Sequence, residues 1–185
     1  MGVGKIHGKV IIIIPSQGHS VGSFKHSAME LKSNAYPAAI IIQTFVSGSE
    51  DAGFSVSFKT LSGAPFSWDE VYDVLRVITI SHAGFDGPNL SYGAGGAQPW
   101  SVVLKGGEAA KRFWGLVGDS MVTDGKIILL GCHMGESAYA EVVSQFSGET
   151  VYASKDFFAA GQSAVVMKHV HAIEAGKALK PMHEF

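Results

Sequence analysis

One cysteine occurs in these 185 residues, Cys132, where the aliphatic run of IILLGCHMG (127–135) gives out. A histidine, His82, stands in the matching place of VITISHAG, 50 residues earlier. Neither residue alone points far: a lone histidine past an apolar run is most often a surface or capping group, and a lone cysteine there packs as a small hydrophobe. Brought to one rim, the two acquire chemistry. An imidazole beside a thiol raises the thiolate fraction and can pass a proton to a leaving group. Whether they meet depends on the elements that carry them.

GKVIIIIPSQG is a continuous β-branched run stopped by Pro and Gly, the pattern of a strand buried on both faces of a parallel sheet and ending near Ile14. SFKHSAMELKSN spaces Phe24, Ala28 and Leu31 as an amphipathic helix begun at a Ser cap. AAIIIQTFV reads as a second buried strand. FSVSFKTL alternates strictly, as a half-exposed strand added at the sheet edge does. In SWDEVYDVL, Ser67 precedes Glu70 by three residues, a capping box, which predicts a helix carrying Val71, Val74 and Leu75 on one face.

RVITIS follows as the third strand, and the chain leaves it at His82. Residues 83–106 are rich in Gly, Pro, Asn and Ser and form a loop too long for a mere connector. GEAAKRFWGLV predicts a helix, GKIILLG the fourth strand, ESAYAEVVSQF a helix and GETVYAS the fifth strand. The last 25 residues, from Gly161, begin apolar and end as a helix and tail.

Strands alternating with helices predict one α/β domain spanning 1–185, a three-layer αβα sandwich around a mostly parallel central sheet. Ligands of such sheets sit beyond the carboxyl ends of the strands, where His82 and Cys132 both stand. The third and fourth strands, joined by one crossover, are expected to be neighbours about 5 Å apart. The helix expected after GCHMG would point its free N–H groups back at Cys132, favouring a thiolate and offering an oxyanion site.

Composition narrows the classes. An apolar fraction of 46% with 16% charged residues fits a covered sheet and excludes disorder. With a formal net charge of −2 and no basic stripe interleaved with aromatics, nucleic acid is not an expected partner. A single cysteine allows no internal disulfide, which suits a reducing cytoplasm. The run VIIII, ended by Pro15, is too short for a signal core or a membrane span, and MGVGKI has Ile6 where a myristoylation site needs Ser or Thr.

VITISHAG, the interval, and KIILLGCHMG together resemble the paired His and Cys motifs of caspase-like cysteine peptidases, clan CD. The stretch IILLGCHMGESAYAEVVSQFSGETVYAS is closest in flavour to the bacterial branch that includes CHAT domains; the resemblance covers residues 70–160 well. It implies a caspase-like fold and peptide-bond hydrolysis without a cofactor. Cys132 would be the nucleophile and His82 its proton partner, and the N–H groups of Cys132 and of Ala83 or Gly84 would form the oxyanion hole.

By the same resemblance, Gln17, His19, Ser154 and Asp156 would line the substrate pocket, with Asp156 a candidate for recognising Arg or Lys. A carboxylate capping its own turn is the commoner use of such an Asp. Ala83 departs from the family's Gly after the histidine, and His133 beside the cysteine is unusual; it would line the entry or act on the thiol. The family's activation by cleavage, dimerisation or a ligand leaves room for a homodimer or a regulatory partner beside the peptide or protein substrate.

Two other readings compete. A glutamine-amidotransferase-like thiol hydrolase needs its histidine downstream of a G-x-C-x-G elbow, and here the best histidine is upstream. A non-catalytic caspase-like module would bind a protein partner. YGAGGAQ (92–98) lacks the Lys and Ser/Thr of a phosphate loop and reads as a lid. No metal site is expected: His82, Cys132 and His133 have no fourth ligand near in sequence, and the spacing of His169 and His171 puts them on different helical faces.

Overall fold

A computed structural model describes residues 4–18, 20–49, 53–84, 87–89, 108–136 and 138–185. The expected loop over 83–106 therefore lies mostly outside the described residues, as do YGAGGAQ and His19.

The isoleucine run becomes β1 (Lys9–Pro15), and its two faces feed two separate cores: Val10, Ile12 and Ile14 point one way, Ile11 and Ile13 the other. That is why the run has no polar alternation: both faces are covered. After α1 (Val21–Asn34) come β2 (Ile40–Ser49), β3 (Gly53–Thr60) and β4 (Pro65–Phe66), then β5 (Val74–Ile80) and a small hairpin of β6 (His82–Gly84) and β7 (Gly87–Asn89). The second half runs through α2 (Glu108–Ser120), β8 (Met121–Leu130), α3 (Tyr139–Ser147), β9 (Thr150–Ser154), α4 (Ser163–Glu174) and β10 (Met182–Glu184).

The main sheet has the order β10-β9-β8-β5-β1-β2-β3-β4. Its five central strands are parallel, while β3 and β10 add antiparallel to β2 and β9. Helices α1 and α4 cover one face through Phe24, Leu31, Val166 and Ile173; α2 and α3 cover the other through Trp114, Val117 and Val143. This is a three-layer αβα sandwich. β5 and β8 are hydrogen-bonded neighbours, as their single crossover requires.

Three local expectations give way to tertiary packing. SWDEVYDVL is not a helix: only a 3-10 turn forms over Trp68–Glu70, Ser67 makes no side-chain cap, and Val71 is already extended. Trp68 is drawn into an aromatic cluster with Phe66 at 5.2 Å and Phe113 at 5.9 Å, and Val74 and Leu75 are consumed by β5. Ring burial of this size outweighs a capping box. Helix α1 starts earlier than its expected cap, from Ser20, which is left-handed at φ 68 and gives no side-chain cap bond. The tail forms β10, a three-residue strand too short for any periodicity to reveal.

At the amino ends of the strands, Arg76 of β5 is clamped by Glu174 of α4, Nε to Oε1 at 2.6 Å and Nη2 to Oε2 at 2.9 Å, and the Tyr36 hydroxyl donates to Glu174 Oε1 at 2.8 Å. The clamp fastens the end of α4 to the sheet. Burial, then Glu174, pushes the Tyr36 phenol far above its ordinary range. Burial opposes the Glu174 charge, but the Arg76 bond and charge win and hold its carboxyl below the usual value. Among the described residues no helix is long and apolar enough to cross a membrane.

Candidate functional site at the carboxyl ends of two neighbouring strands

The β5–β8 ladder ends at Ile80 opposite Leu130, and Ser81 continues it by one bond, its N–H donating to the Leu130 carbonyl at 3.2 Å. Counting on, His82 and Cys132 occupy equivalent positions two residues past the last pair, on strands about 4.8 Å apart. Parity fixes the face. Ile78 and Ile80 of β5, and Ile128 and Leu130 of β8, all lie in the core under α1 and α4, so the next even positions fall on that side.

Contacts agree with the parity. The His82 ring meets Phe24 of α1 edge to face, centroids 5.0 Å apart at 81°. Cys132 Sγ accepts from the Phe158 amide at 3.4 Å and donates to the Phe158 carbonyl at 3.6 Å. Phe24 and Phe158 belong to the same core. On the opposite face, a Cβ built on Gly131 would stand 2.7 Å from the Ala83 Cβ and 3.0 Å from the Ser81 carbonyl. Past the ladder, the two strand ends are still pressed together.

Beyond Cys132 the chain does not enter a helix. Residues 131–136 form bends and a turn, His133 is left-handed at φ 60, and α3 waits until Tyr139, which moves the helix N-terminus away from the thiol. The amides of this stretch turn to the neighbouring strand end: His133 N–H donates to the Asp156 carbonyl at 3.0 Å and Gly135 N–H to the Ser154 carbonyl at 2.8 Å. A left-handed non-glycine residue is held only where surroundings over-determine it. These two bonds, with His133 Nδ1 paired to Glu136 Oε2 at 2.8 Å, do so.

The other sequence-nominated residues divide. Ala83 and Gly84 lie in β6, opposite Pro88 and Gly87, and the Ala83 Cβ stands against Gly131, next to Cys132. Ser154 is buried, and its hydroxyl is spent on the Asp156 backbone, donating to the carbonyl at 2.7 Å and accepting from the amide at 3.1 Å. Asp156 is exposed, but Oδ1 accepts from Phe157 N–H at 2.7 Å, a carboxylate closing its own turn. Gln17 is exposed just past the end of β1.

Sequence reasoning missed the aromatics. Phe158 brackets the thiol, Phe24 contacts His82, and Phe157, the residue before Phe158, is 70% exposed. For Phe157 and Phe158 the signal was the doublet in KDFFAAG directly after a strand, and for Phe24 its place on the apolar face of SFKHSAMELKSN. A surface cavity of about 580 Å³ lies elsewhere, between the last turns of α1 and the start of β2, lined by Met29, Lys32, Pro37 and Ile40; no residue of the strand-end site reaches it. Among the described residues no group of three His, Cys, Asp or Glu is placed to hold a metal ion.

No protein-family model matches the chain, and no curated protein does. Among solved structures it is similar to a secreted C11 cysteine protease from Bacteroides thetaiotaomicron in complex with an irreversible peptide inhibitor, at 11% identity and a TM-score of 0.46, covering 92% of this chain and 59% of that one. A second structure of a secreted C11 cysteine protease from that organism gives 10% identity and 0.41, covering 89% and 57%. An octopine dehydrogenase gives 9% identity and 0.38, covering 81% and 35%. The chain thus spans less than two thirds of each. Similarities of this size carry no function, and a peptidase and a dehydrogenase stand side by side among them.

Proposed function

We propose that the protein is a caspase-like cysteine peptidase of clan CD, CHAT-type in its motifs, an endopeptidase acting on peptide or protein substrates in the cytosol. One observation carries the reading: the only thiol and His82 occupy equivalent positions, on one face, at the carboxyl ends of adjacent parallel strands. Cys132 Sγ attacks the scissile carbonyl carbon, forming a C–S bond. The oxyanion is received by the N–H groups of Cys132 and of Ala83 or Gly84. His82 takes the thiol proton and gives it to the departing amine as the C–N bond breaks. Water then hydrolyses the thioester and restores the thiol. Asp156, exposed beside the thiol's turn, would favour Arg or Lys before the scissile bond through its outer oxygen.

A second reading, a binding module without catalysis, is favoured by the way the Phe158 backbone closes on Sγ from both sides. Iodoacetamide labelling near neutral pH separates the two. A peptidase labels fast at Cys132, His82→Ala slows it about tenfold or more, and fluorogenic Arg and Lys peptides are cleaved. Slow labelling indifferent to His82→Ala refutes the dyad, and equal turnover of all peptides removes Asp156 from specificity.

A further inference from the structure

We propose that Phe24, in the first turn of α1, is a positioning residue that orients the His82 imidazole on the face it shares with Cys132. The inference rests on the peptidase reading for its consequence, though not for its geometry.

Phe24 is built into a rigid place. Its amide makes an early hydrogen bond of the helix, donating to the Ser20 carbonyl at 3.0 Å, and its side chain is 2% exposed. One edge of the contact is His82, at 5.0 Å and 81°. On another side lies the segment that follows β9: a Cβ on Gly161 would come within 3.8 Å of Phe24 Cε1 and 3.2 Å of Ser23 Cβ, and Ser27 Oγ donates to the Ala160 carbonyl at 3.2 Å. That segment also carries Phe158, whose backbone brackets the thiol. Phe24 thus touches the His82 ring and shares a packed core with Phe158, whose backbone brackets the thiol, and the first turns of α1 tie these supports together.

The physical reason is orientation. A half-buried imidazole on a strand end can rotate about two side-chain bonds, and a proton-transfer group must be held within roughly 10–20° of its working direction. An edge-to-face ring contact is directional, where an aliphatic neighbour of equal bulk is not. Replacing Phe24 by Leu keeps the core filled and removes the directional contribution of this contact.

The experiment compares the pH profile of Cys132 labelling by iodoacetamide in the full chain carrying Phe24→Leu, Phe24→Tyr, Leu31→Val and His82→Ala. Leu31 lies two turns further along α1 in the same core, so its variant destabilises the helix without touching His82. Phe24→Leu is expected to slow labelling about two- to tenfold at neutral pH, the range of a ring-pair contact. It should also move the inflection of the profile. Phe24→Tyr restores it to within about twofold, Leu31→Val leaves it in place, and Phe24→Leu adds nothing in a chain already carrying His82→Ala. Should Phe24→Leu not fold, Phe24→Met makes the same comparison.

Superimposable profiles for Phe24→Leu and the unaltered protein, or an equal shift from Leu31→Val, overturn the proposal while leaving the dyad standing. If His82→Ala itself changes nothing, the peptidase reading falls. The positioning claim is then decided by proton contacts of the His82 ring in solution, with one rotamer in the unaltered protein and several in Phe24→Leu supporting it, and an unchanged single rotamer refuting it.

Discussion

Gly131 is the point at which the strand ends carrying His82 and Cys132 touch, and replacing it by Ala tests that contact directly. The added Cβ would stand 2.7 Å from the Ala83 Cβ, 2.9 Å from Met134 Cε and 3.0 Å from the Ser81 carbonyl oxygen. The methionine can swing away, since its terminal methyl is the free end of a flexible chain. Ala83 and Ser81 cannot, because the offending atoms belong to or adjoin the backbone. Relief requires the two strand ends to part by roughly 1 Å, to the 3.5–4.0 Å at which carbons rest. Overpacking of this kind costs about 1–3 kcal/mol, a fall in Tm of roughly 2–12 °C for a chain of this size. Parting the imidazole from the thiol by about 1 Å should slow Cys132 labelling by at most what removing the imidazole in His82→Ala does, about tenfold. Urea denaturation reads the first effect and iodoacetamide labelling of Cys132 the second. Ala83→Gly, which removes the facing methyl, should recover part of both losses in the double variant. If Gly131→Ala stays within about 0.5 kcal/mol of the unaltered protein and labels at the same rate, the strand ends do not meet as described and the reasoning fails.

Glu174→Gln should cost about 3–5 kcal/mol in urea denaturation, since it strands the Arg76 guanidinium in a buried site; a loss under about 1 kcal/mol would mean the clamp is solvated. Acid should weaken the fold in two steps. Burial, then Lys168, holds the His169 imidazole below its ordinary value against a hydrogen bond with the Leu179 backbone, so the unfolded chain takes a proton below about pH 6.5 that the native chain refuses. Stability therefore falls as pH drops through that value, and His169→Phe should flatten this step. The lowered Glu174 carboxyl adds stability that is complete above about pH 4.3 and is lost as pH falls through its folded value, a step that Glu174→Gln should abolish. Phe157→Ser should leave stability within about 0.5 kcal/mol, because the ring is 70% exposed; a larger loss in thermal denaturation would place it in a core.

Much of the site was legible along the chain because β-strands obey a period of two. VITIS and IILLG announce strands covered on both faces, and a single crossover between them makes them neighbours. Counting by twos from Ile80 and Leu130 then sets His82 and Cys132 on one side of the sheet. Only tertiary structure decided the rest. The helix expected after GCHMG forms, but it starts only at Tyr139, and the turn before it is held by His133 and Gly135 donating to carbonyls on the neighbouring strand end, at Asp156 and Ser154. Trp68 left its capping box because the distant rings of Phe58 and Phe113, with nearby Phe66, offered it burial. Phe158 reaches Cys132 from 26 residues away, and Phe24 reaches His82 from α1, in the helix layer that covers that same face. Local periodicity fixes the direction in which a side chain leaves the backbone; which side chain it meets there depends on how helices lie across the sheet, and no short stretch of sequence encodes that.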